Sequence, residues 1–178
     1  MNSQNLNTKM IPVQSSEVYG LIEISEFTIP QMIPHIFAEK DFFKNLVHDE
    51  CTETDWINYL MNHPYLFQVS IGGEFAGLFM IDDLGEVCNI KTCEIHAFIL
   101  PHMRRYSTQL LKSFAWFVFT ESEFEAITTT VPDHTKYVIK LLKSIGFVVL
   151  GNDKTQFKRN GQDINMSYLV LTIDKFGD

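Results

Sequence analysis

Apolar residues follow two different spacings along the chain, and their succession predicts a mixed α/β fold. Short alternating or β-branched runs indicate strands, whereas apolar residues three and four positions apart indicate amphipathic helices. The clearest helix begins near Ser107 and runs to Phe119, with one apolar face. The predicted strands are 17–25, 65–71, 75–82, 92–100, 124–131, 147–150 and 166–173. The predicted helices lie within 30–47 and over 56–61, 107–119 and 133–145.

Glycine-containing turns are predicted between several of these strands. Gly72-Gly73 predicts a tight hairpin, a second turn is expected at 82–85, and Asn160-Gly161 predicts a turn before the last strand. The resulting element order predicts a mixed sheet with helices on both faces. Residues 1–16, rich in Asn, Gln and Ser, are expected to form a flexible N-terminal arm, and 17–178 a single domain.

Composition and charge narrow the function classes. A net charge of −8 disfavours a general nucleic-acid binder, which needs a basic surface. No apolar run is long enough to span a membrane, and no secretory signal opens the chain. The cysteines Cys51, Cys88 and Cys93 lack metal-ligand spacing, so reduced thiols in a cytoplasmic protein are expected. The histidines form no metal pattern either.

A predicted strand, a basic turn and a long helix follow one another from Cys93 to Phe119. Free backbone N–H groups and the helix dipole make such a turn a natural anion site. Arg104 and Arg105 stand at the helix start, where cations are unfavourable, so a bound anion such as a phosphate group is expected to compensate. The alternative is two solvated arginines paired with nearby carboxylates.

Alternation along the same strand predicts Glu94, His96 and Phe98 on one face and Cys93 on the other. Glu94 and His96, side by side, have the chemistry of a general base and its helper. The alternative is that Glu94 lies at an exposed edge and His96 makes a local hydrogen bond. Cys93 is expected in the core.

Three segments together resemble the GNAT superfamily of acyl-CoA-dependent N-acetyltransferases. The family's fourth strand and pyrophosphate loop are similar to CEIHAFILPHMRR, and its fifth strand and following helix are similar to ITTTVPDHTKYVIKLLKSIGF. The last hairpin of the ribosomal-protein-modifying branch resembles FKRNGQDINMSYLVLT. The element order matches over residues 17–173. The resemblance implies a GNAT-like, mostly antiparallel mixed sheet with helices on both faces.

The resemblance also implies a reaction, in which an amine directly attacks the thioester of acetyl-CoA or another acyl-CoA. Glu94 would take the proton, through a water or beside His96. The acceptor would be a protein N-terminus, a lysine or a small amine. The residues assigned to the acyl-CoA are Ile99, Leu100, Arg104, Arg105, Tyr106, Ser107, Thr108 and His134.

The chain departs from the family pattern at positions that bear on activity. Its loop has no glycine, the residue that lets the backbone approach the pyrophosphate with no side chain between them. His134 stands near a position where the family often has an asparagine, and Leu142 stands where many members have a general-acid tyrosine. A catalytically inactive GNAT-fold module therefore stays open, binding a protein partner or forming a homodimer. The chain also resembles small GNAT-like proteins of tailed bacteriophages, some of which travel with structural genes. An open cleft beside Arg104 favours the enzyme, and a cleft plugged by Tyr106 favours the binding module.

Overall fold

The computed structural model describes residues 9–12, 21–38 and 49–176. The strands are β1 (Lys9–Pro12), β2 (Leu21–Glu26), β3 (Leu66–Ile71), β4 (Glu74–Val87), β5 (Ile90–Ile99), β6 (Ala126–Pro132), β7 (Val148–Arg159) and β8 (Gln162–Thr172). They form one eight-stranded sheet in the order β1-β2-β3-β4-β5-β6-β8-β7. All of its strand pairs are antiparallel except β5 with β6. The predicted mixed, mostly antiparallel sheet is confirmed.

Helices cover both faces of the sheet, as predicted. They are α1 (Ile33–Ile36), α2 (Glu53–Met61), α3 (Ser107–Glu121) and α4 (Lys136–Ile145), with 3₁₀ turns at Pro30–Met32 and Pro101–Tyr106. The larger core packs one face of the sheet against α3 and α4, and it includes the tilted rings of Phe79 and Phe114, whose centres lie 4.6 Å apart. A smaller core joins the other face to α1 and α2 around Phe98. None of the described helices has the length and apolarity needed to cross a membrane.

Local sequence signals set the ends of two helices near the site. The Thr52 hydroxyl accepts a hydrogen bond from the Asp55 N–H at 3.3 Å, and the Asp55 carboxylate accepts one from the Thr52 N–H at 2.7 Å. This capping box satisfies two N–H groups that the first turn of α2 would otherwise leave without partners. Helix α4 ends at Gly146, whose φ of +110° suits a residue without a Cβ.

The hairpin between β4 and β5 turns later than predicted. The expected turn at 82–85 is wrong, since β4 continues to Val87 and the chain reverses at Cys88 and Asn89, with φ of +55° and +64°. Two consecutive positive φ values are typical of the two-residue hairpin turn that matches strand twist. Residues 83–86 instead form an irregularity in the register, where the Gly85 N–H donates to the Asp83 carboxylate at 2.8 Å.

Two segments at the ends of the sheet differ from the sequence prediction. Residues 9–12 fall in the expected arm, yet they form β1, which pairs with β2 from Lys9↔Ile24 to Pro12↔Leu21. Strand β7 extends to Arg159 rather than ending at 150, because it pairs with β8 as far as the confirmed Asn160-Gly161 turn. The predicted helical positions 39–47 lie outside the described residues.

Candidate functional site

The parallel pairing of β5 with β6 is short, and a cavity opens where it ends. The register contains Thr92↔Ala126, Cys93↔Ile127 and Glu94↔Thr128, and no further pairs follow. Beyond this point the two strands part around a cavity of about 400 Å³. Its wall takes side chains from α2, β5, α3, β6 and α4, including Trp56, His96, Arg104, Thr130, Tyr137 and Leu142.

The basic turn contributes one wall of the cavity and leaves its interior open. Arg104, Ser107 and Thr108 line the space at the beginning of α3, and the Ser107 hydroxyl donates to the Arg104 carbonyl at 2.7 Å. Tyr106 packs against the larger core instead. The Arg105 guanidinium stacks on the Tyr106 ring, with 4.7 Å between its central carbon and the ring centre. Neither of these two side chains lines the cavity.

A polar group of side chains lies on the β5 and β6 side. The Thr130 hydroxyl donates to Glu94 Oε1 at 2.7 Å, and His96 Nε2 lies 4.0 Å from the same carboxylate oxygen. Alternation along β5 therefore brings Glu94 and His96 together on one face, as the sequence indicates. His96 and Thr130 line the cavity. Glu94 contacts these two residues and does not itself line the cavity.

Asp82 is a member of this polar group that the sequence analysis missed. It lies opposite Glu94 in the β4–β5 register, and its Oδ2 is 3.3 Å from His96 Nε2. Tyr59 and His63 also reach its carboxylate. Hydrogen bonds from these groups, above all from His96, hold the pKa of Asp82 well below its usual range. Had the turn been predicted at 88–89, the expected pairing of β4 with β5 would have placed Asp82 within one position of the residue opposite Glu94.

The pKa of the Tyr59 hydroxyl is raised, in contrast to that of Asp82. Burial, followed by its hydrogen bond to Asp82 at 2.9 Å, raises the pKa of Tyr59 to about 12. Tyr59 therefore stays protonated through the neutral range and donates to the carboxylate. No group of three or more described His, Cys, Asp or Glu side chains is arranged to hold a metal ion.

Several predicted ligand-binding residues lie away from the cavity. Ile99, Arg104, Ser107 and Thr108 line it. The predicted residues that do not are Leu100, Arg105, Tyr106 and His134, the last of which is exposed. Their assignment rests on the sequence resemblance and stays a prediction.

Cys93 and Leu142 behave as apolar residues. The Cys93 thiol is fully buried, and burial, with a smaller contribution from Asp83, raises its pKa to about 12. A thiol in this state is a poor nucleophile at neutral pH, so Cys93 has a packing role. Leu142 is buried in the cavity wall.

Solved structures with the same architecture are GNAT acetyltransferases. RimJ from Mycobacterium smegmatis, in complex with CoA-disulfide, superposes with a TM-score of 0.70 at 14% identity, covering 89% of this chain and 85% of RimJ. Spermidine N-acetyltransferase from Vibrio cholerae, in complex with CoA and spermine, gives 0.70 at 15% identity, covering 88% and 98%. A GNAT-family acetyltransferase from Bacillus anthracis gives 0.65 at 18% identity, covering 85% and 94%.

These likenesses establish the fold, and the sequence establishes the family. The chain has the GNAT fold that its three segments resemble. No curated protein matches it in sequence. A family model described as "Protein of unknown function (DUF2824)" matches residues 39–177. The chain therefore belongs to the DUF2824 family.

Proposed function

We propose that this protein binds an acyl-CoA, with acetyl-CoA as the first candidate, and transfers the acyl group to an amine. The observation that carries this proposal is the cavity of about 400 Å³ between β5 and β6. It joins an anion-binding feature, Arg104 at the start of α3, to proton-accepting side chains on the opposite strands. The CoA present in the RimJ and spermidine N-acetyltransferase structures supports the same assignment.

The beginning of α3 suits the phosphate groups of the acyl-CoA. The positive end of the α3 dipole favours an anion there, while the Ser107 N–H is already used by the Arg104 carbonyl. Arg104 adds a full positive charge in the cavity wall. The missing loop glycines are offset because Ser107 and Thr108 are small and the bulky Tyr106 side chain packs against the core.

The opposite strands suit the chemistry of the transfer. The acceptor amine must lose a proton before its lone pair attacks the thioester carbonyl. His96 lies in this wall, and the Glu94 carboxylate lies 4.0 Å from its Nε2. Attack forms the C–N bond, breaks the C–S bond and releases the CoA thiolate, which takes up a proton. A lysine, a protein N-terminus or a small amine fits this scheme as the acceptor.

Protein binding without turnover is a second candidate, and exposed apolar side chains favour it. Ile29, Met32, Tyr59 and Tyr65, in and around α1 and α2, are 54%, 45%, 44% and 48% exposed. Large apolar groups exposed together are typical of a surface that contacts a partner or a second copy of the chain. This candidate predicts complex formation in the absence of any acyl-CoA.

Titration calorimetry with acetyl-CoA and with free CoA tests the first proposal. The wild type is expected to bind in the micromolar range. Arg104→Ala removes a charge-assisted contact, which is typically about 1.5–3 kcal/mol, so binding should weaken by roughly 10- to 150-fold.

Arg105→Ala is the matched control, because Arg105 lies on Tyr106 and outside the cavity. Its dissociation constant should stay within about threefold of wild type. Absence of binding by the wild type, or equal binding by both variants, contradicts the proposal. If binding is found, an amine panel with mass-spectrometric detection and a Glu94→Gln variant tests transfer.

A further inference from the structure

The Asp82 carboxylate contacts Tyr59 and His63 through one oxygen and His96, in the cavity wall, through the other. Tyr59 on α2 donates its hydroxyl to Asp82 Oδ1 at 2.9 Å, and His63 Nε2 lies 2.9 Å from the same oxygen. The other oxygen, Oδ2, lies 3.3 Å from Nε2 of His96.

The tautomer of His63 follows from its two contacts. The Tyr65 N–H donates to His63 Nδ1 at 3.2 Å, so Nδ1 carries no proton. His63 is therefore neutral, and its Nε2–H donates to Asp82 Oδ1. With the Tyr59 hydroxyl, Oδ1 already accepts two hydrogen bonds.

The contact with Asp82 also places the proton on His96. Oδ2 of an ionised carboxylate accepts hydrogen bonds only, so the ring nitrogen that faces it must carry a proton. In neutral His96 the proton therefore lies on Nε2 and the lone pair on Nδ1. The His96 ring also lines the cavity.

We propose that Asp82 is a positioning residue that holds His96 in its Nε2–H tautomer, so that His96 Nδ1 accepts the proton of the acceptor amine. This role rests on the proposed acyl transfer. It makes Glu94 a supporting group, because Glu94 Oε1 is engaged by the Thr130 hydroxyl at 2.7 Å and Glu94 does not itself line the cavity.

The proton balance of this scheme is complete. The ammonium gives one proton to His96 Nδ1 and becomes a neutral amine. Its lone pair forms the N–C bond at the thioester carbonyl, and the C–S bond breaks with its electron pair on sulfur. A second proton leaves the nitrogen and neutralises the thiolate, giving amide and CoA thiol. The imidazolium then returns its proton to water.

An Asp82→Asn variant tests the tautomer directly. The amide oxygen is expected at the Oδ1 position, where Tyr59 and His63 donate, which turns the amide NH₂ toward His96. That NH₂ is a donor, so His96 must accept through Nε2 and carry its proton on Nδ1. Long-range ¹H–¹⁵N correlation spectra of the imidazole rings distinguish the two tautomers, with His96→Gln used to assign the signal.

Two internal controls sharpen the measurement. His63 should keep its Nε2–H tautomer in Asp82→Asn, because the Tyr65 N–H still occupies Nδ1. Asp83→Asn makes the same charge change one residue away, at an exposed side chain that contacts Gly85, and should leave His96 unchanged. An Nδ1–H tautomer in the wild-type protein, or an unchanged His96 in folded Asp82→Asn, overturns the positioning role.

Binding and turnover separate this inference from the proposed function. Asp82→Asn should bind acetyl-CoA within about threefold of wild type while kcat falls on the order of 100-fold, the usual contribution of a general base. A tautomer change without loss of kcat overturns the proton transfer to His96. Failure of the wild type to bind acetyl-CoA overturns the proposed function, and with it the transfer step, whichever tautomer His96 holds.

Discussion

Gly77 allows β4 and β5 to approach each other beside the cavity, and an added methyl group should be costly there. A Cβ built on Gly77 would lie 2.2 Å from the backbone oxygen of Phe98 and 3.0 Å from Cα of Ile99. To reach ordinary van der Waals separation, the Phe98 carbonyl would have to move by about 1 Å. Overpacking of this kind typically costs about 1–3 kcal/mol.

We expect Gly77→Ala to lie at the upper end of that range, because the atoms in the way are backbone atoms of a central strand. A loss of about 3 kcal/mol in a protein of this size corresponds to a fall in Tm of about 6–12 °C. Calorimetry and urea unfolding would measure both quantities. Phe98 and Ile99 also line the cavity, so their displacement should weaken acetyl-CoA binding in the folded variant.

Gly151→Ala provides the matched control. A Cβ at Gly151, on β7, meets no atom within 4 Å. This variant should be neutral or stabilised by up to about 1 kcal/mol, since alanine restricts the unfolded chain. Equal stability of the two variants would refute the inference that the close approach at Gly77 constrains β4 and β5.

Thr52→Ala breaks the capping box of α2 and should lower the free energy of unfolding by about 1 kcal/mol, measured by urea unfolding. The pKa of Asp82 is lowered above all by the hydrogen bond from His96, so Asp82 stabilises the fold above its unfolded-state pKa of about 3.9 and loses this effect as pH falls. Between about pH 4 and pH 2, stability should therefore fall more steeply in wild type than in Asp82→Asn. A disulfide reagent should modify exposed Cys88 rapidly and buried Cys93 only on unfolding, as mass spectrometry would show.

The sequence predicts those hairpins whose turn residues give the stronger local signal. Gly72-Gly73 and Asn160-Gly161 are recognisable turns, and both form. The Cys88-Asn89 turn was missed because Asp83 and the following residues resemble a turn more closely. In the folded chain, pairing of β4 with β5 resumes beyond that segment and reduces it to an irregularity of the register. Long-range pairing here overrides the local preference.

The candidate site is predictable where it depends on one strand and not where it depends on several. Alternation along β5 is enough to bring Glu94 and His96 to one face. The hydrogen bonds to Asp82 from Tyr59 and His63 span 23 and 19 positions of sequence, and no local pattern specifies them. The direction of the Tyr106 side chain is likewise decided by tertiary packing against the larger core.

The separation of β5 from β6 has a consequence for aggregation. A strand that lacks a neighbour on one side usually offers its backbone as a template for another chain, and proteins protect such edges. Here the register stops at Glu94↔Thr128, so two strand edges face each other across the cavity within the sheet. The gap between them has a volume of about 400 Å³, which leaves little room for a whole strand from another molecule. The inner edges of β5 and β6 are thus protected from pairing with another copy of the chain, although they lie beside the cavity proposed for the ligand.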